Sequence, residues 1–429
     1  MPTAGVGPTA AGDDEPTAPA GDGKAARLLT RGHTLAAAAV EAMIRGTPPH
    51  AIVIAGPAGV GKTTLALDLA AGLLCDAPDP AARPCRMCRG CGLVARGNHA
   101  DLHRLAPSGP GNQIRIGDRS DPEPGTIRRL IADLALLPVE GGARVALVEA
   151  AERMNEEAQS ALLKTLEEPP AGVTIILCVD REDALLPTVR SRCIRLRLGP
   201  VAVRDVEAIL ADQGVADPPT ASRLARLAGG RPGLARTWAL APEAVTARAE
   251  IARSLLDLLE RGPAGRLAIG RDLLSRAGDV VRSLDAATAA PTRADDGGGG
   301  RPRRGGRRGA NAPTSAPAPA AASAEADDAA EAGRDTRAPA AERRRAAAAL
   351  VTIWRDLARD LLLVRLGEER RLRDPALIDD LRTAEVAPTD VTAFLERLDR
   401  AAELIDGNVS PELAIDVLLV TWPRGARAA

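Results

Sequence analysis

Three short apolar runs stand out from a chain otherwise patterned for helices: AIVIA (51–55), ARVALVE (143–149) and VTIILCV (173–179). Runs of this length with few polar positions suit strands buried on both faces of a parallel sheet. Stretches between them repeat apolar residues at three- and four-residue spacing. Residues 25–200 therefore predict a doubly wound α/β domain. Beyond it, VRDVEAILADQG and ASRLARLAGG show helical spacing and end in Gly, so residues 201–245 predict a small helical segment. Residues 246–285 continue with IARSLLDLLERG and LAIGRDLLSRAGDVVRSL. The pattern then breaks. From 286 to 345 aliphatic residues larger than Ala vanish, and stretches such as GGGGRPRRGGRRGANAP cannot bury enough apolar surface to order. That segment is expected to be a disordered linker. Helical patterning returns in ALVTIWRDLARDLLLVRLG (349–367) and fills most of 346–429. Residues 1–24, rich in Pro, Gly, Ala, Thr and Asp, predict a disordered tail; without a basic start or an apolar core they do not form a secretory signal.

Composition narrows the function. The chain has 429 residues and is 45% hydrophobic, with no Tyr, one Phe and three Trp. Its core must be mainly aliphatic, and a base-stacking platform for single strands is disfavoured. A net charge of −1 gives no global field to draw the chain to DNA. No apolar run approaches the ~20 residues needed to span a bilayer, so no membrane association is expected.

Two motifs carry chemistry. GPAGVGKT (56–63) follows AIVIA and precedes TTLALDLAAGLL, the strand–loop–helix context that a phosphate-binding loop requires. Gly56, Pro57, Ala58, Gly59, Val60, Gly61, Lys62, Thr63 and Thr64 are the candidate nucleotide-binding residues. The glycines let backbone N–H groups face the phosphates, Lys62 supplies a point charge, and Thr63 can ligate Mg2+ beside ATP. Just past that helix, Cys75, Cys85, Cys88 and Cys91 cluster at short spacing. In a chain with no export signal, four thiolates point to a reducing cytoplasm and a closed, structural Zn2+ site rather than to disulfides. Arg83, Arg86 and Arg89 interleave with them and offset their charge. His99 and His103 flank the cluster and are not needed as ligands. Cys178 lies in a buried-strand pattern and reads as a small core hydrophobe.

AQSALLKTLEEPP (158–170), LLPTVRSRC (185–193), HAIVIAGPAGVGKTTLA (50–66) and the four-cysteine insertion together resemble the bacterial clamp-loader subunits of DNA polymerase III, in the AAA+ class. The resemblance runs over about residues 30–240, with weaker echoes in IWRDLARDLLL (353–363) and GNVSPELAIDVLL (407–419). It implies an AAA+ P-loop domain with a parallel sheet and a zinc module, a helical lid at 201–245, and an all-α collar formed by 246–285 and 346–429. It also implies gamma/tau and delta subunits as partners, a sliding clamp, and primed DNA met through the complex.

Within that family, motor subunits of the gamma/tau type end the second core strand in Asp-Glu. Here Glu149 and Ala150 stand at those positions, so Glu149 is a doubtful catalytic carboxylate and Ala150 has no polar group. GGRPGLA (229–235) resembles the lid segment where motors carry an Arg; Gly233 stands there, with Arg231 two residues early. Val179 and Asp180 replace a pair of threonines. These departures favour the delta-prime type, a subunit of weak or absent ATPase activity. Arg192, in Ser-Arg-Cys, matches the arginine that the family extends in trans to a neighbour's ATP site. Two alternatives stay open: a divergent gamma/tau-like ATPase, and a DNA-binding module acting through the cysteine cluster and the Arg-rich linker.

Overall fold

The computed structural model describes residues 28–108, 112–120, 122–140, 142–289, 339–407 and 409–425. The expected tail at 1–24 and most of the expected linker lie outside the described residues. Contacts divide the chain into two compact units. The first comprises residues up to Pro57 with Gly61–Gly199; the second takes Ala58–Val60 and everything from Pro200.

The first unit is the expected parallel α/β fold. Its elements run α1 (Thr34–Arg45), β1 (Ala51–Ala55), α2 (Lys62–Leu73), α3 (Arg89–Ala95), β2 (Leu102–Leu105), α4 (Ile127–Leu134), β3 (Arg144–Val148), α5 (Glu156–Glu167), β4 (Val173–Val179), α6 (Pro187–Arg190) and β5 (Ile194–Arg197). The sheet order is β2-β3-β4-β1-β5, and every pairing is parallel. The three apolar runs are the three inner strands, buried along their whole length. The two edges, LHRL and IRLR, are half polar and partly exposed. Both are too short and too charged to reveal themselves as apolar runs. On one face of the sheet, Val53, Ala146, Ile175 and Leu177 pack with Leu130 and Leu134 of α4 and Leu162 and Leu166 of α5. Asn155 caps α5 by accepting the Ala158 N–H at 2.9 Å.

The second unit is all helix: α7 (Val203–Asp212), α8 (Pro218–Leu227), α9 (Pro232–Leu240), α10 (Pro242–Asp257), α11 (Pro263–Ala268), α12 (Gly270–Ala289), α13 (Ala340–Arg365), α14 (Ile378–Thr383), α15 (Pro388–Asp406) and α16 (Pro411–Thr421). One continuous hydrophobic core runs from Val201 to Trp422, so the segments on either side of residues 290–338 fold around the same interior. Its centre holds most of the chain's few aromatic residues: Trp354, Phe394 and Trp422 meet with ring centroids 4.6–5.3 Å apart. Arg248, buried, donates to Asp356 of α13 and to Asp374. Among the described residues no helix is long and apolar enough to cross a membrane.

Candidate nucleotide and metal sites

Strand order decides what stands beside the phosphate loop. All strands are parallel, so their C-terminal ends share one edge of the sheet, where ligands of such folds bind. β4 lies between β1 and β3. Ala55 pairs with Val179, and the Gly56 N–H donates to Val179 O at 3.1 Å. Gly56 and Asp180 therefore leave the sheet side by side. Glu149, following β3, lies one strand further away.

Residues Gly56–Thr64 form the loop and the first turn of α2. A Cβ at Gly56 would lie 2.4 Å from Leu198 O, so no side chain fits there. Gly61, at φ 113°, turns the chain into α2 in a conformation that L side chains avoid. The first-turn N–H groups of α2 have no acceptor inside the helix and carry its positive end. Backbone, glycines and lysine together fit a nucleotide phosphate. Thr63 is half-buried in this turn and Thr64 is exposed.

The Lys62 ammonium donates to Gly56 O at 2.6 Å, to Pro57 O at 3.2 Å and to Asp180 Oδ1 at 2.6 Å. The Asp180 N–H in turn donates to Glu152 Oε2 at 3.3 Å. Burial, and to a lesser extent the Asp180 charge, hold the Glu152 carboxyl above the usual carboxylate range. Glu149 is occupied elsewhere: Arg104 of β2 donates to its Oε1 from Nη2 at 2.6 Å and from Nε at 3.1 Å. Ala150 sits in the left-handed region at φ 49° and offers no polar side chain. The structure thus gathers Lys62, Asp180 and Glu152, and holds Glu149 on an arginine.

Arg192 follows α6. Its Nη2 lies 2.6 Å from Glu167 Oε1, and Nη1 donates to Thr188 O at 2.9 Å. The side chain remains 35% exposed, so the guanidinium can be reached from outside. In the second unit, the Arg231 Nε donates to Ala228 O at 2.8 Å; burial and then Arg248 depress its pKa. The tip of the phosphate loop clusters with that unit. The Gly233 N–H donates to Gly59 O at 2.8 Å, and a Cβ at 233 would lie 3.0 Å from the same oxygen. A side chain at 233 would press on the backbone of Gly59.

The four clustered cysteines converge. The Sγ atoms of Cys75, Cys85, Cys88 and Cys91 all lie within 4.8 Å of one another, a set able to hold a metal ion. Cys75 and Cys88 sulfurs are 3.8 Å apart, close to the edge of a tetrahedron with ~2.3 Å metal–sulfur bonds. Backbone N–H groups point at the sulfurs: Cys85 to Cys75, Cys88 to Cys85 and Cys91 to Cys88, at 3.3–3.4 Å. Such donors favour thiolates. The Met87 N–H, foremost, draws the Cys85 thiol down to about 6, whereas burial pushes Cys75 and Cys91 up. Deprotonation of those two must accompany metal binding. His99 turns instead to Asp101, whose N–H it accepts at 3.1 Å, and Cys178 is buried in β4, with its thiol pushed up to about 12 by burial.

Asp68, in α2, was not anticipated. It is fully buried and accepts from the Leu29 N–H (3.0 Å), the Thr30 N–H (2.8 Å), the Thr30 hydroxyl (2.7 Å) and the Arg86 guanidinium. One carboxylate thereby ties the entry to the domain, the phosphate-loop helix and the cysteine loop together. The available signal was a lone charge inside the apolar run LALDLAAGLL.

Residues 33–202 match the family described as DNA polymerase III, delta subunit. The delta-prime subunit of Pseudomonas aeruginosa is 39% identical over 151 residues, which are 35% of this chain and 43% of that protein. The chain resembles the delta-prime subunits of the bacterial clamp loader. The delta-prime subunit of Escherichia coli is 33% identical over 190 residues, 44% of this chain and 54% of the relative. The chain thus spans about half the length of these delta-prime relatives. Escherichia coli tau is 32% identical over 210 residues, 48% of this chain and 31% of tau. Among solved structures, a DNA polymerase III gamma subunit-related protein of Thermotoga maritima aligns with 89% of this chain and 97% of its own at 18% identity, with a TM-score of 0.39.

Proposed function

We propose that the chain is a delta-prime-like subunit of the bacterial DNA polymerase III clamp loader. It acts as a stator: a subunit that assembles with gamma/tau and delta, contributes little ATP turnover of its own, and supports ATP-dependent placement of a sliding clamp on primed DNA in the cytoplasm. The observation that carries this reading is the Glu149–Arg104 pair. A carboxylate that acts on magnesium must be free to turn to the metal; this one is paired with Arg104. Ala150 supplies no group to orient water. Magnesium and ATP would be held by Lys62, Thr63 and the loop backbone, the metal serving to neutralise phosphate charge. The cysteine cluster would hold a structural Zn2+, and residues 201–245 and the later helices would serve as lid and collar.

In this reading Arg192 is the chain's contribution to catalysis. Glu167 and Thr188 O hold its guanidinium at an exposed position, ready to meet a neighbouring subunit's nucleotide. An arginine placed there stabilises charge on the transferring phosphoryl group, an effect of about 10³–10⁵ in rate in systems that use one. The intact phosphate loop and the likeness to tau favour a second reading, a motor with its own turnover. Steady-state ATP hydrolysis separates the two. The chain alone should be nearly silent, and Arg192→Ala should slow a mixture with gamma/tau and delta at least ~10-fold. Brisk turnover by the chain alone, abolished by Lys62→Ala, would overturn the stator reading.

A further inference from the structure

A lysine ammonium has three N–H donors. In Lys62 the acceptors within reach are also three: two loop carbonyls and the Asp180 carboxylate. The lysine side chain is 10% exposed, so little water competes for it, and Asp180 is 46% exposed. Charge-assisted contacts of this kind are the strong ones. A phosphate that uses Lys62 must first take the ammonium away from Asp180.

The backbone that carries the displaced carboxylate stays at the loop. Val179 is fixed in the sheet opposite Ala55, and the Asp180 N–H is held by Glu152. Once a phosphate sits on Lys62, Asp180 remains as a like charge at the loop, with Glu152 behind it. A triphosphate brings more negative charge to that point than a diphosphate and suffers more from it.

We propose that Asp180 is a built-in competitor for the nucleotide's terminal phosphate, which keeps Lys62 engaged and makes the loop favour a nucleoside diphosphate over the triphosphate. The proposal deepens the stator reading by naming the residue that sets nucleotide preference, and rests on the loop taking a nucleotide at all. It accounts for an intact phosphate loop in a subunit with little turnover: the loop is complete, but its lysine is already spoken for. Glu149 and Ala150 explain slow chemistry; Asp180 explains poor entry of the triphosphate.

The test is calorimetric titration of the full-length chain with ADP and with ATP, each with and without magnesium. Asp180→Asn and Asp180→Ser are measured beside it, with thermal melts to check folding. Asn keeps the shape of Asp and removes its charge. Wild type should bind ADP more tightly than ATP. Both variants should bind ATP about tenfold more tightly than wild type, with a smaller gain for ADP, so the gap narrows. Unchanged affinities would overturn the proposal. So would weaker ATP binding in the variants confined to magnesium, which would make Asp180 a metal ligand. If folded variants bind neither nucleotide, the proposal also fails, because removing a competitor should uncover affinity. That last result leaves the stator reading intact, since the Arg192→Ala effect on the assembled complex does not require this chain to bind nucleotide.

Discussion

Asp68→Ala is the sharpest test of how the first unit is held together. Asp68 is fully buried, and the substitution strips two backbone N–H groups, the Thr30 hydroxyl and the Arg86 guanidinium of one shared acceptor. Breaking a buried charge pair by deleting one partner costs about 3–5 kcal/mol, mainly because the other charge stays desolvated. Arg86 is 17% exposed, so water relieves only part of that cost. For a unit of this size each kcal/mol corresponds to about 2–4 °C, which places the expected fall in the melting temperature of the first unit at roughly 6–20 °C. The consequence should reach any metal ion that the four cysteines hold. Arg86 holds a left-handed backbone conformation at φ 61° between Cys85 and Cys88, and its backbone N–H serves the Cys91 sulfur. Freed from Asp68, that loop should release metal to a chelating dye faster than wild type does. Asp68→Asn, which keeps an acceptor of the same size, should fall between. The assays are thermal unfolding and metal release on the zinc-loaded chain. A melting temperature within ~1 °C of wild type would refute the reasoning that Asp68 is a shared anchor.

Two further outcomes follow from buried charge. Arg248→Ala leaves Asp356 and Asp374 facing one another's field inside the second unit, and should destabilise that unit by about 3–5 kcal/mol in urea unfolding; a loss under ~1 kcal/mol would show that Arg373 and Arg223 carry these carboxylates unaided. Asp101 gives a pH dependence: burial works against its charge, but N–H groups of Glu140 and Val139, then Arg144, hold its folded-state pKa below the usual value. A depressed carboxylate adds stability that is present above its unfolded pKa, near 4, and is lost as pH falls through the folded value. Wild type should therefore lose stability below about pH 4 by more than Asp101→Asn does, and parallel acid-denaturation curves would contradict this.

What the sequence made legible was whatever is local in the chain. The phosphate loop is one contiguous turn between an apolar run and a helix, and the cysteines lie within a single short insertion. The inner strands announced themselves because both their faces are buried. The edge strands Leu102–Leu105 and Ile194–Arg197 did not, since edges carry polar residues and four residues are too few to show a period. The continuity of the second unit's core was equally hidden. Its buried pairs join Arg248 to residues 108 and 126 positions away, across a segment whose composition looks like a boundary.

The same limit applied at the phosphate site, and there it changes the chemistry. Read along the chain, attention falls on Glu149 and Ala150, because they occupy the positions where motor subunits place their carboxylates. Read across the sheet, the strand next to the loop is β4, not β3, and the residue beside Lys62 comes from 118 positions away. Asp180 was visible as a departure from a pair of threonines, but a departure from a motif says only what is missing. A threonine can donate a hydrogen bond to a phosphate; an aspartate at the same register accepts one from the lysine that the phosphate needs. An anion in place of a donor offsets the lysine's charge at the place where the nucleotide's phosphate would settle. On the proposal made above, a chain can keep every residue of its phosphate loop and still weaken its hold on a triphosphate through one side chain on the neighbouring strand.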